Sequence, residues 1–320
     1  KFIDESLYNK KLGYYMRGSP FGEKGDFITA PGISILFSEM IAVWVISFWE
    51  SLNSPKQFNL IELGAGNGEM MTVMTGIFNK FPQFNNSCNI KILEKSKHLK
   101  KLQKKTIKNH KVEWLNDLRD LNNLPCIFIA NEFFDALPIK QFIKKKGKWH
   151  ERYIKFNNHI KPKYLDILVD IKKLEKKLKF KISLGQNFIE YSPLVSKYLK
   201  DITNKINLNN GGILIIDYGY LEKKMSNTVQ AVSKHRYANI LNNFRNSDIT
   251  YNLSFNLISQ IIGKLGSFIQ ATTTQKKFLI KLGIMKRAEI LSKNITFSKK
   301  ADMYFRIKRL IDEKQMGNLF

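Results

Sequence analysis

Phe58-Asn59-Leu60-Ile61-Glu62-Leu63-Gly64-Ala65-Gly66-Asn67-Gly68 decides the fold. Phe58 to Leu63 is a short apolar run of strand length. Glycines at 64, 66 and 68 turn the chain, and apolar residues from Met70 to Phe81 then recur at helical spacing until Pro82 stops them. A strand, a glycine turn and a helix make one βα unit, and a glycine turn of this kind lets a cofactor approach the backbone closely. The dinucleotide fingerprint G-x-G-x-x-G requires a third glycine at position 69, where Glu69 stands. Glu62, just before the turn, would also repel a pyrophosphate. The sign reverses for a cationic cofactor without phosphate, such as S-adenosylmethionine, which carries an ammonium and a sulfonium.

The alternation continues outward from this unit. Asn89 to Leu93 reads as a second strand, Ser96 to about Asn109 as a lysine-rich helix, Val112 to Trp114 as a short strand, and Cys126 to Ala130 as a fully apolar one. Gly211 to Gly219 contains a further buried strand with Asp217 near its end. Such alternation implies an α/β fold with a mostly parallel sheet and sites at the strands' carboxyl ends. Phe142-Ile143 and Trp149 to Phe156 flank Lys144 to Lys148 and read as a β-hairpin. The expected organisation is an N-terminal loop and helix segment over 1–57, a core over 58–229 and 283–320, and a mainly helical cap over 230–282.

Composition bounds the function. The chain has 320 residues, 43% hydrophobic and 12% aromatic, which suits a globular protein rather than a disordered or fibrous one. Two cysteines, Cys88 and Cys126, supply neither a disulfide framework nor a cysteine metal site, so no metal is expected. The apolar stretch from Ile33 to Trp49 is interrupted by Ser34, Ser38, Glu39 and Ser47 and reads as a core helix rather than a membrane span. The net charge is +26, yet only eight of the 53 basic residues are arginine. Lysine runs without interleaved aromatics or arginine forks read as solvated faces, and a nucleic-acid partner is not expected. Lys1 is not an initiator methionine, so the sequence leaves the true N-terminus open.

The candidate site follows from the strand ends. Glu62, Gly64, Gly66 and Gly68 line the turn. Glu94 ends the second strand, where a carboxylate can accept both hydroxyls of a ribose, and Asp117 follows the third, within reach of an adenine amino group. Asn131 and Thr29 complete the expected cofactor contacts. Methyl transfer is an in-line displacement, so catalysis chiefly positions a nucleophile. A guanidinium is a poor nucleophile, and carboxylates that hydrogen-bond it can orient one nitrogen. Glu132 and Asp135 after the central strand, with Asp26 on the N-terminal loop, are the candidate clamp. His235 reads as structural or substrate-orienting, since no metal-ligand spacing accompanies it.

Gly13-Tyr14-Tyr15-Met16-Arg17, Gly25-Asp26-Phe27-Ile28-Thr29-Ala30-Pro31, Glu62 to Gly68, Ala130-Asn131-Glu132-Phe133-Phe134-Asp135-Ala136-Leu137-Pro138, Ile215-Ile216-Asp217-Tyr218-Gly219, Leu282-Gly283-Ile284 and Met316 to Phe320 resemble the MidA-type class I methyltransferases over nearly the whole chain. The resemblance implies a Rossmann-like sheet of seven strands and S-adenosylmethionine as cofactor. It further implies arginine dimethylation of a 49 kDa-type subunit of respiratory complex I, as an aid to its assembly. A bacterial cytoplasm or a mitochondrial matrix fits, and a homodimer is compatible with it. The chain departs from the family at Gly32, where glutamate is usual, at Ala65, where proline is, and at Asn252, where histidine is expected. Those departures keep open an assembly factor that binds the cofactor but methylates little. The charge motivates a nucleic-acid methyltransferase as the other alternative, against which Asn131 is followed by Glu132-Phe133-Phe134 rather than a Pro-Pro-aromatic block.

Overall fold

The computed structural model describes residues 1–17, 29–108, 110–157, 160–233, 236–242 and 244–318. Asp26 and His235, two of the residues singled out above, lie outside the described residues. From the N-terminus the elements are α1 (Phe2–Tyr8), α2 (Tyr14–Arg17), α3 (Ala30–Ile33), α4 (Ile35–Ser51), β1 (Phe58–Leu63), α5 (Glu69–Phe78), α6 (Pro82–Ser87), β2 (Cys88–Leu93), α7 (Lys97–Thr106), β3 (Val112–Leu115) and β4 (Cys126–Asn131). Then come β5 (Lys140–Lys145), β6 (Lys148–Asn157), β7 (Ile160–Leu168), α8 (Ile171–Leu178), β8 (Phe188–Tyr191), α9 (Pro193–Asn209) and β9 (Gly211–Ile216). The chain closes with β10 (Gly219–Tyr220), β11 (Gln230–Ser233), β12 (Arg236–Ala238), β13 (Asp248–Thr250), β14 (Leu253–Ser254), α10 (Phe255–Lys264), α11 (Gln275–Lys281), α12 (Ile284–Ser292) and α13 (Phe297–Ile311). Two compact units share this chain: Gly18–Phe133, Asn204–Asp217 and Gln270–Phe320 form one, and Lys1–Arg17, Phe134–Thr203 and Tyr218–Ile269 the other. Their boundaries cut across the segments expected from the sequence.

The first unit is built on a five-stranded, all-parallel sheet in the order β3-β2-β1-β4-β9. All six residues of β1 are buried, as a central strand covered on both faces requires. The sequence order reverses between β1 and β4, the kind of switch point at whose carboxyl ends open α/β sheets bind ligands. Helix α4, apolar nearly all round, buries Phe37, Ile41 and Val45, and its Phe48 ring fills the place a side chain at Gly212 on β9 would take. Trp49, Phe58, Phe78 and Phe84 pack ring to ring at centroid distances of 4.7 to 6.4 Å. Helix α5 ends at Phe78 rather than at Phe81, and Pro82 opens α6 from its first turn instead of stopping α5.

The second unit contains the four-stranded antiparallel sheet β7-β6-β5-β8, in which the hairpin read around Lys144 to Lys148 is β5-β6. Here the expected count of seven is corrected: β5 pairs antiparallel with β8, so neither strand extends the parallel sheet, which has five. The mainly helical cap is corrected too. Among the described residues of 230–254 lie the antiparallel sheet β12-β11-β13 and the short β14, with helix from Phe255 onward. These strands are two to four residues long, too short for an alternation to show. They are held by a small core in which Leu7 of α1 meets Ala231 and Ile249, ringed by Tyr8, Tyr14 and Tyr15. The Gly13 block acquires a structural meaning here, because a Cβ at Gly13 would fall 2.5 Å from Asn9 N and 2.6 Å from Leu7 O. Tyr15 Oη then donates to Asp248 Oδ1 at 2.8 Å, which ties α2 to β13.

Candidate active site

Leu63, Leu93, Leu115, Ala130 and Ile215 stand side by side across the parallel sheet, so the residues that follow them emerge at one edge. Among these are Gly64 after β1, Glu94 after β2 and Asn131 at the end of β4. The turn after β1 takes positive φ three times, at Gly64 (68°), Gly66 (52°) and Gly68 (86°). Glycine adopts such angles freely, and most residues with a side chain do not. Space also excludes a side chain at Gly64, where a Cβ would lie 2.7 Å from the Phe133 ring, while Gly68 is pressed by Ile107 at 3.3 Å.

Two carboxyl groups are buried beside this turn. Glu62 is 3% exposed, and its Oε2 has no hydrogen-bond partner among the described residues. Burial, and after it the Glu94 charge, push its carboxyl up to about 8. Glu94 is held differently. Its Oε1 accepts from Ser96 N at 2.8 Å and its Oε2 from Gln103 Nε2 at 3.1 Å. Burial raises its titration too, against the lowering effect of those bonds and of the Lys95 backbone. Asn131 Oδ1 is also buried without a partner among the described residues. Unpaired acceptors in a buried site cost roughly 1–3 kcal/mol each. A ligand that brings N–H and O–H donors, at least one of them cationic, fits this set.

The remaining expected residues fall as follows. Glu132 has φ +47°, rare for a residue with a side chain, and its Oε1 accepts from Ala30 N at 3.2 Å. That bond brings the Thr29-Ala30 segment to the end of β4. Thr29 begins α3 through its carbonyl, which accepts from Gly32 N at 2.9 Å and Ile33 N at 3.1 Å, and its side chain caps nothing. Asp117 is spoken for: both its oxygens accept from Arg119, and it caps a short 3-10 helix, Leu118–Asp120. Asp135 is buried in the second unit, where its carbonyl accepts from Tyr251 N at 3.2 Å. Glu132 and Asp135 therefore belong to different compact units, although only two residues separate them.

Sequence reasoning missed Gln103 and Trp114. Gln103 is fully buried and joins Gly66, Glu94 and Trp114 by hydrogen bonds. A signal existed: Ser96, Leu99, Gln103 and Ile107 recur at spacings of three and four, all buried, and Gln103 is the polar residue in mid-stripe. The lysines around it masked that stripe. Among the described residues, no group of three or more His, Cys, Asp or Glu side chains is placed to hold a metal, and no helix is long and apolar enough to cross a membrane.

Comparisons with known proteins place the chain among its relatives. Mitochondrial proteins named protein arginine methyltransferase NDUFAF7 align along the whole chain. The Xenopus tropicalis protein is 29% identical over 347 residues, covering 100% of this chain and 80% of its own, and the Homo sapiens protein 26% identical over 346 residues, covering 100% and 78%. A Burkholderia thailandensis protein crystallised with S-adenosyl-homocysteine shares the fold, with a TM-score of 0.83 at 20% identity over 99% of this chain and 84% of that one. Residues 40–272, well over half the chain, match the family described as "Putative S-adenosyl-L-methionine-dependent methyltransferase". With that match and the strand-end site in place, the chain belongs to this family of S-adenosylmethionine-dependent methyltransferases.

Proposed function

We propose that this methyltransferase acts on an arginine side chain of a protein, and that its target is a 49 kDa-type subunit of respiratory complex I. The observation that carries the reading is Glu132: a carboxylate in a strained left-handed conformation at the end of the central strand, at the switch point beside the glycine turn. Strain of that kind persists where the surroundings over-determine it, and function is a common reason. The arginine and mitochondrial words in the relatives' names support the substrate class and favour the matrix over a bacterial cytoplasm.

The cofactor supplies an electrophilic methyl group on sulfur. Around it, Glu62 and Asn131 offer unpaired acceptors to an amino group, Glu94 accepts ribose hydroxyls, and the glycine turn lets the backbone come close. Glu132 accepts from the substrate guanidinium, localises its charge and orients one nitrogen, and Asp135 and Asp26 are the further candidates for that clamp. Asp117 has the weakest claim, since Arg119 engages both of its oxygens.

The test is direct: the protein is incubated with S-adenosylmethionine and a recombinant 49 kDa-type subunit, and the subunit is searched by mass spectrometry for dimethylarginine. Appearance of the mark, and its loss with Glu132→Gln, supports the reading. Cofactor binding without turnover favours an assembly factor, for which Gly32 and Asn252 speak. Methylation of RNA in place of the protein overturns the substrate class.

A further inference from the structure

Every hydrogen-bonding atom of the Gln103 side chain is in use. Its Oε1 accepts from Trp114 Nε1 at 2.8 Å, and its Nε2 donates to Gly66 O at 2.9 Å and to Glu94 Oε2 at 3.1 Å. An indole N–H can only donate, and a carbonyl and a carboxylate here can only accept, so the orientation of the amide is determined. One buried side chain on α7 therefore joins the middle glycine of the turn after β1, the carboxylate after β2 and a ring on β3.

We propose that Gln103 is a positioning residue for the adenosyl cofactor, fixing the plane of the Glu94 carboxylate and its place relative to the Gly66 backbone. The inference rests on the assignment of Glu94 to the ribose hydroxyls. Ser96 N anchors Glu94 Oε1 and the Lys95 backbone assists, so without Gln103 the carboxylate is held by its own loop alone. Gln103 anchors the other oxygen, and each oxygen keeps acceptor capacity for a hydroxyl. Trp114 acts one step further out by preventing the amide from flipping.

A merely structural amide would weaken every ligand equally, so the experiment compares two ligands. S-adenosylhomocysteine and its 2′,3′-dideoxy analogue are titrated calorimetrically into wild type, Gln103→Met and Trp114→Phe. Wild type is expected to prefer the ribose form by about tenfold or more, the worth of about one good hydrogen bond. Gln103→Met is expected to lose about tenfold for S-adenosylhomocysteine while holding the dideoxy analogue within about threefold of wild type. Trp114→Phe spares the Gly66 and Glu94 bonds themselves and keeps the test usable if the methionine variant does not fold; a smaller loss confined to the ribose form is expected. Equal losses for both ligands overturn the proposal. A wild type that binds both equally overturns the ribose assignment beneath it, a distinct result.

Discussion

Glu62 stands at the end of β1 under the charge of Glu94, at the end of the neighbouring strand β2, and the two buried carboxyl groups oppose each other's ionisation. Burial first, and then Glu94, bring Glu62 to about 8. The folded protein therefore keeps a proton that the unfolded chain releases near 4.5. The stability this contributes is fully present below that value and is lost as pH rises towards about 8. An ammonium held by Glu62 reverses the preference and expels the proton. Binding of S-adenosylhomocysteine at pH 7 is expected to release close to one proton, about the occupancy of a group titrating near 8, and progressively less as pH rises through 8. Calorimetry in two buffers of different ionisation heat measures this, and Glu62→Gln should abolish it. Identical heats at pH 7 would show that Glu62 does not meet the ammonium.

Gly66 faces two demands that separate substitutions can tell apart. Its φ of 52° strains any branched side chain, and the proposed cofactor site requires close approach to its backbone. Gly66→Val is expected to abolish binding of S-adenosylhomocysteine, with a stability loss of about 1–3 kcal/mol from strain. Asparagine tolerates the left-handed region, so Gly66→Asn is expected to fold near wild-type stability and still lose binding. Full affinity in Gly66→Asn would mean the turn is needed for its conformation and not for close approach.

How much of this was legible before the structure depended on the length scale of each signal. The β1 turn and the order of Glu62, Gly64, Gly66, Gly68 and Glu94 could be read because strands of six residues, the first running into three glycines, give a strong local pattern. The small β12-β11-β13 sheet could not, since strands of three or four residues carry too few alternations and their core comes from Leu7, over two hundred residues away. Asp117 and Gln103 show the same limit at the site. An acid after a strand looks like a ligand until Arg119 is seen on it, and a glutamine among lysines looks solvated until its three partners are seen.

The Tyr15 to Asp248 bond offers a test of the N-terminal block. Tyr15 is half-buried, and desolvation together with the nearby Asp248, Tyr8 and Asp135 holds its phenol well above the usual range, so it stays a donor at any working pH. Tyr15→Phe removes that donor from the buried Asp248 carboxylate and is expected to cost about 1–3 kcal/mol. Thermal melts should fall by about 2–4 °C for each kcal/mol. Unchanged melting would show that Asp248 finds its support elsewhere.

Glu132 makes one contact that glutamine can keep and carries one property that glutamine lacks. Its Oε1 accepts from Ala30 N, and a carboxamide oxygen in the same place would accept equally well, so Glu132→Gln should preserve the tie to α3. The negative charge is what a guanidinium clamp needs. Affinity for S-adenosylhomocysteine is therefore expected to stay within about threefold, while turnover falls by about a hundredfold or more, the usual effect of removing a charge aimed at the reacting group. Glu132→Ala separates the roles further. It is expected to lose turnover and also to lower the melting temperature, because Ala30 N then lacks its acceptor. Should Glu132→Gln turn over at the wild-type rate while Glu132→Ala unfolds early, the strained carboxylate is an anchor for α3, and the clamp must be sought at Asp135 or Asp26.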